Sequence, residues 1–149
     1  MFDFIRTNSE NSDFITLVFE LDKDLAIRDG DETSFYSQYN GIDDIKFAVV
    51  AYLDSKPVGC GAIKYFNEEA MEIKRMFVLP KYRGRGFSSA ILRELELWTK
   101  ELNCRSCILE TGKRNPEAVM LYKKKGYLPI PNYEPYVGIE NSLCFKKEL

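Results

Sequence analysis

The 149-residue sequence contains no histidine. That absence excludes histidine-based triads, His-metal sites and imidazole acid–base chemistry. Any proton transfer falls to Glu, Asp, Tyr, Lys, Cys or water. Long apolar runs are missing too: no stretch approaches the roughly 18 consecutive apolar residues of a membrane-spanning helix. "MFDFIRTNSEN" has an acid at position 3 and no apolar core, unlike a signal peptide. These absences predict a soluble, cytoplasmic protein without a membrane partner. Net charge is small, −2 from 21 basic and 23 acidic residues. The total therefore favours neither nucleic acid nor an anionic surface.

Cysteine is sparse: Cys60, Cys104, Cys107 and Cys144. A zinc site without histidine would need all four, and Cys60 and Cys144 stand singly in strand-like runs. Cys104 and Cys107 form C-x-x-C, but a thioredoxin-type motif opens a helix, whereas strand-like "CILE" follows here. The thiols read as small buried or edge residues, and no metal is expected.

What is present suits one domain over residues 1–149 with a real core: 45% hydrophobic and 30% charged residues. Charge is unevenly spread. Glu10 to Asp44 holds ten acids against two bases, and Lys74 to Lys125 holds thirteen bases against five acids. "FDFIRT" is strand-like. "SDFITLVFELDKDLAIRDG" carries Phe14, Leu17, Val18, Leu21 and Leu25 at helical spacing, with Gly30 past its end. "DETSFYSQYNG" reads as a second, short helix. "IKFAVVAYLD" and "KPVGCGAIKYF" are strands joined by the turn-like "DSKP". "AMEIKRMFVL" is a strand ending at Pro80. A helix follows with Ile91, Leu95, Trp98 and Leu102 in one stripe, and then the strand "SCILET". "NPEAVMLYKKKG" is a helix with Asn115 as cap, Pro116 in its first turn and Gly126 as its stop. "YLPIPNYEPYVG" reads as a loop with strand fragments, and "SLCFKKEL" as a closing strand.

"PKYRGRGFSS" stands between a strand and a helix. The free N–H groups of a helix's first turn carry about half a positive charge. Glycines let an anion approach the backbone, so the turn suits a phosphate or pyrophosphate. A P-loop does not fit: the Gly-Lys pair is Gly112-Lys113, with Cys107 at the first glycine position and Arg114 after the lysine. A dinucleotide fingerprint matches Gly84 and Gly86 but meets Ser89 at its third glycine. The pattern R-x-x-G-x-G/A matches from Arg83 to Phe87, with Ser88 in the last place.

Residues 70 to 128 resemble the core of the GNAT N-acetyltransferase superfamily. The matching text is "MEIKRMFVLPKYRGRGFSSAIL" followed by "ILETGKRNPEAVMLYKKKGY", and the element order fits as well. The resemblance implies an α/β GNAT fold. Its features are a mixed, mostly antiparallel sheet of about 6–7 strands with a splayed parallel pair, and about four flanking helices. It also implies acetyl-CoA as co-substrate. The backbone of Met76, Phe77 and Val78 would pair with the pantetheine arm, and one N–H would polarise the thioester carbonyl. The N–H groups of Arg83, Gly84, Arg85, Gly86, Phe87, Ser88 and Ser89 would hold the pyrophosphate. Asn115 is both a helix cap and, by resemblance, a pantetheine contact. Tyr122, about two turns further along that helix, would give a proton to the departing thiolate. A phenol of pKa about 10 is matched to a thiol of about 8.5. Glu72 is the base or substrate-contact candidate. It lies on a strand face shared with Val78 by even offset, or else is an edge charge paired with Lys74. The need for a base is real, since freeing an alkylamine of its proton at pH 7 costs roughly 4.6 kcal/mol.

The implied reaction is direct transfer to a primary amine, since no cysteine has a base partner in the sequence. The first helices are acidic and the last strands rich in tyrosine, including Tyr133 and Tyr136. That composition suits a small cationic amine or a protein or peptide amine. No nucleic-acid partner is expected, and a homodimer is compatible with the sequence. The rival reading is a non-catalytic CoA-binding sensor or subunit of the same fold.

Overall fold

In the computed structural model, residues 2–30 and 44–149 are described. The chain opens with β1 (Phe2–Thr7) and α1 (Ser12–Asp29). Asn11 starts α1 by accepting a hydrogen bond from the Phe14 N–H at 2.9 Å, and Gly30 at φ 55° ends it. The expected second helix, over residues 31–41, lies outside the described residues. β2 (Phe47–Leu53) and β3 (Lys56–Tyr65) form a hairpin. Asp54 and Ser55 at its tip both have positive φ, 50° and 68°. Two such residues give a turn whose twist matches that of the strands.

β4 (Ala70–Val78) leads through a short 3₁₀ turn (Pro80–Tyr82) to α2 (Phe87–Glu101) and β5 (Ser106–Gly112). Then come α3 (Pro116–Lys124), β6 (Leu128–Ile130) and β7 (Ser142–Glu148). The strands make one seven-stranded sheet in the order β1-β2-β3-β4-β5-β7-β6. Every pairing is antiparallel except β4 with β5. That parallel pairing joins Ala70 to Ser106, Met71 to Cys107 and Glu72 to Ile108, then stops, although both strands continue. The expected mixed sheet with a splayed parallel pair is present. Three α-helices flank it among the described residues.

Each face of the sheet is covered. Met71, Ile73 and Val78 pack under Ile91, Leu92 and Leu95 of α2. On the other face, Cys60, Ala62 and Phe77 pack against Phe14, Leu17 and Leu21 of α1. The helical stripes expected from the sequence are the faces that turn inward. No described helix is long and apolar enough to cross a membrane.

One irregularity in β4 sets the orientation of the site. Cys60 faces Phe77 and Ala62 faces Lys74, so Gly61 stands opposite two residues, Arg75 and Met76. Arg75 adopts φ 56°, the left-handed conformation of a bulge. The extra residue inverts the alternation of β4. Glu72 and Lys74 share the α1 face with Ala62, whereas Val78 lies under α2. The even-offset rule that put Glu72 and Val78 on one face therefore fails here. Nor is β4 an edge strand, since it lies in the middle of the sheet.

Next to the bulge, strand and helix meet at Gly59. A Cβ there would stand 2.9 Å from the Phe77 carbonyl oxygen and 3.0 Å from Ile91 Cδ1. An added methyl must displace backbone. Gly59→Ala is expected to lower stability by about 1–3 kcal/mol, read as a lower urea midpoint in equilibrium unfolding.

Candidate active site

Where β4 and β5 part, a cleft of about 120 Å³ opens. Glu72, Arg75 and Met76 line it from β4, and Glu110 and Thr111 from β5. Asn115 and Tyr122 line it from the α3 side, and Leu21, Leu25 and Arg28 from α1. Four residues singled out from the sequence, Glu72, Met76, Asn115 and Tyr122, thus meet at one opening.

The glycine turn lies beyond the end of β4. Gly84 and Gly86 have φ 78° and 86°, and no atom lies within 4 Å of where their Cβ atoms would be. Gly86 starts α2: its carbonyl accepts from the Ala90 N–H at 3.1 Å, and no side chain caps the helix. The N–H groups of Phe87, Ser88 and Ser89 therefore form the positive end of an uncapped helix. Phe87 anchors the turn, its ring buried 4.6 Å from that of Phe2. Arg83 has a different part. Its N–H is given to the Pro80 carbonyl at 3.2 Å, and its Nε donates to the Val78 carbonyl at 2.9 Å. It ties the turn to the end of β4. Arg85 lies over the Tyr82 ring, 5.6 Å from its centre.

Tyr122 is buried at 5% exposure, with its ring 5.6 Å from that of Tyr127. Burial, then the charge of Glu110, pushes its phenol well above the ordinary range, so it is protonated at neutral pH. Asn115 acts as the cap of α3, accepting from the Ala118 N–H at 3.3 Å, and borders the cleft at the same time. Glu72 accepts from the Tyr133 hydroxyl at 2.8 Å and lies 3.8 Å from the Lys74 ammonium. Burial, and next the Glu72 charge, raise the Tyr133 phenol.

Several residues of the site escaped the sequence reading. Glu110 accepts from the Ser142 hydroxyl at 2.7 Å. Its signal was one acid within the otherwise apolar run "CILET". Arg75 is 6% exposed, pairs with Asp22 of α1, and has a buried Nε without a hydrogen-bond partner. Three acids of α1 have partners within the protein. Asp13 accepts from Tyr52, Asp22 holds Arg75, and Asp24 holds Arg28. Arg28 also reaches Glu117 and the Arg114 carbonyl, fastening α1 to the start of α3.

The sequence matches the Acetyltransferase (GNAT) family over residues 15–127, a span that takes in most of α1, the bulged strand, the glycine turn and Tyr122. The chain belongs to the GNAT acetyltransferase family. It is 35% identical over 107 residues to an IAA acetyltransferase of Azospirillum brasilense, covering 71% of this chain and 69% of that protein. A Klebsiella pneumoniae structure named as an acyl-CoA N-acyltransferase superposes with a TM-score of 0.84 at 25% identity, over 100% of this chain and 98% of the other. A GNAT family acetyltransferase of Elizabethkingia anophelis, with acetyl-CoA bound, gives a TM-score of 0.70 at 17% identity, over 99% and 98% of the two chains. At that identity the likeness is one of fold.

The four thiols are free, buried and dispersed. Cys60 packs on the α1 face, Cys104 and Cys107 under α2, and Cys144 beside Tyr136. Burial pushes Cys60 up to about 12, and Cys107 and Cys144 up to about 11. Raised folded-state values stabilise the protein fully below the unfolded thiol's value of 9.0, and that contribution is lost as pH climbs through about 11 for Cys107 and about 12 for Cys60. Urea unfolding is expected to show falling stability across that window, and a thiol reagent should label the native protein far more slowly than the unfolded chain.

Proposed function

We propose that this protein moves an acetyl group from acetyl-CoA to a primary amine by direct attack. The observation that carries this reading is the gap between β4 and β5, with an uncapped helix N-terminus beyond the end of β4. A strand-like arm ending in a pyrophosphate is complementary to those two features. The open space beside Gly84 and Gly86 leaves room for phosphate oxygens against the backbone. The acetyl-CoA bound by the Elizabethkingia anophelis relative supports the same assignment.

Acetyl-CoA, when bound, supplies the activated acyl group. The N–H groups from Gly84 to Ser89 hold the pyrophosphate, and the Arg83 side chain keeps the turn in place. The backbone of Met76, Phe77 and Val78 lies along the pantetheine arm, and an N–H there draws charge from the acyl carbonyl. Asn115 flanks the arm. Tyr122, protonated and facing the cleft, gives its proton to the departing sulfur. The amine meets carboxylates on the α1 face, where Glu72 stands. A small cationic amine or a protein or peptide amine fits those carboxylates.

Three experiments test this reading. Tyr122→Phe is expected to bind CoA with unchanged affinity by calorimetry while kcat falls by at least about ten-fold; unchanged turnover would remove the acid role. Gly86→Val forces a β-branched residue into a left-handed conformation and fills the approach to the helix end. It should cost most of the CoA affinity, whereas Arg83→Ala should cost much less. A wild-type protein that binds CoA yet acetylates no polyamine, amino acid or peptide would point instead to a CoA-binding sensor.

A further inference from the structure

We propose that the acceptor is an α-amino acid with an apolar side chain, and that Arg75 holds its carboxylate. The assignment rests on the acetyl-transfer reading above and narrows its primary amine. The bulge in β4 places two cations side by side. Ile73 and Met76 pack on the α2 face, and Phe77 on the α1 face. Lys74 is paired with Ala62 and faces α1, and Arg75 reaches Asp22 of α1. Two successive residues therefore face α1, where a regular strand would present one. Both line the cleft, with side-chain exposures of 12% for Lys74 and 2% for Arg75.

Arg75 has donors to spare. A guanidinium offers five N–H bonds and accepts none. Asp22 takes one of them, at Nη2, and the buried Nε has no partner among the described residues. A buried donor left unpaired is costly, and more so on a charged group. Nε and Nη2 together form an edge that grips a carboxylate through two parallel bonds. The Asp22 side chain is 54% exposed, so it can return to water, whereas the guanidinium cannot. A substrate carboxylate that takes the place of Asp22 satisfies both donors.

The position of Arg75 selects the kind of acceptor. It immediately precedes Met76, where the backbone that carries the acyl arm begins. An anion held there lies close to the attacking nitrogen, which suits an amine and a carboxylate on one carbon. A polyamine or a lysine side chain brings no anion to that place. Among the described residues the cleft is lined by four bases, Arg28, Lys74, Arg75 and Arg114, against two acids, Glu72 and Glu110. Such a lining suits a zwitterion better than a bare cation. Glu72, two residues before Lys74 on the same face, meets the ammonium end. Leu21, Leu25 and Tyr136 border the same cleft and give the side chain an apolar wall.

The test compares three acceptors that share one side chain: leucine, leucinamide and 3-methylbutylamine. The wild-type protein is expected to favour leucine by at least about 100-fold in kcat/KM over the other two. Amine basicity alone would favour leucinamide, whose amine loses its proton most easily, so the expected order cannot come from the nucleophile. Arg75→Met should bring the three acceptors within about five-fold of one another, mainly by raising KM for leucine. Arg75→Lys should restore part of the preference, and CoA affinity by calorimetry should stay at the wild-type value in both. Equal use of the three acceptors by the wild type, a preference that survives in Arg75→Met, or an equal loss on all three in that variant would each overturn the proposal. Turnover confined to polyamines or peptides would also overturn it and leave acetyl transfer standing. A wild-type protein that binds CoA and acetylates no amine at all would overturn the acetyl-transfer reading itself, which is a different result.

Discussion

The hydrogen-bond ladder between β4 and β5 stops after three residue pairs, and the rest of the site follows from that stop. Adjacent strands in a sheet are bonded along their length because a buried peptide group without a partner costs about 1–3 kcal/mol. Here two central strands diverge and turn peptide groups toward a gap. The break is held open from both sides. The α2 crossover draws the end of β4 one way, and β7 keeps β5 in a full antiparallel pairing from Ser106 to Gly112. A slot through the middle of a sheet is thus built from regular pairing on its flanks.

The bulge at Arg75 and Met76 gives the slot two chemically distinct sides. Before it, β4 presents Glu72 and Lys74 toward α1. After it, Met76 and Val78 turn toward α2. A left-handed arginine in a strand costs roughly 1–3 kcal/mol, and the surroundings must repay that. Asp22 reaches from α1 to the buried guanidinium. Arg83 bonds the Val78 carbonyl and lies 5.5 Å above the Phe77 ring. The irregular segment is therefore clasped at both ends, by one helix and by the turn that precedes the other.

Much of this was legible in the sequence, for local reasons. The helices announced themselves by period and end signals, as at Gly30, Asn115 and Gly126. The glycine turn was visible because few backbones need two glycines between a strand and a helix. What stayed hidden depends on pairing across the sheet. Even-offset counting assumes an unbroken pleat, and nothing in "EIKRMFV" marks where the extra residue sits. Glu110 passed without remark inside the strand "SCILET", because only the diverging neighbour creates the gap it faces. The acids of the first helix suggested an excess of negative potential. Two of their partners, Arg75 and Tyr52, lie in other elements, so that compensation was invisible to composition.

The opening through the sheet has a topological consequence. A pocket on one surface has a single mouth, and whatever enters last must leave first. This cleft draws its lining from both faces of the sheet, Leu21, Leu25 and Arg28 of α1 on one side and Ala118 and Tyr122 of α3 on the other. Two molecules that react in it can therefore be held by different layers of the fold, and a change in one wall need not alter the other.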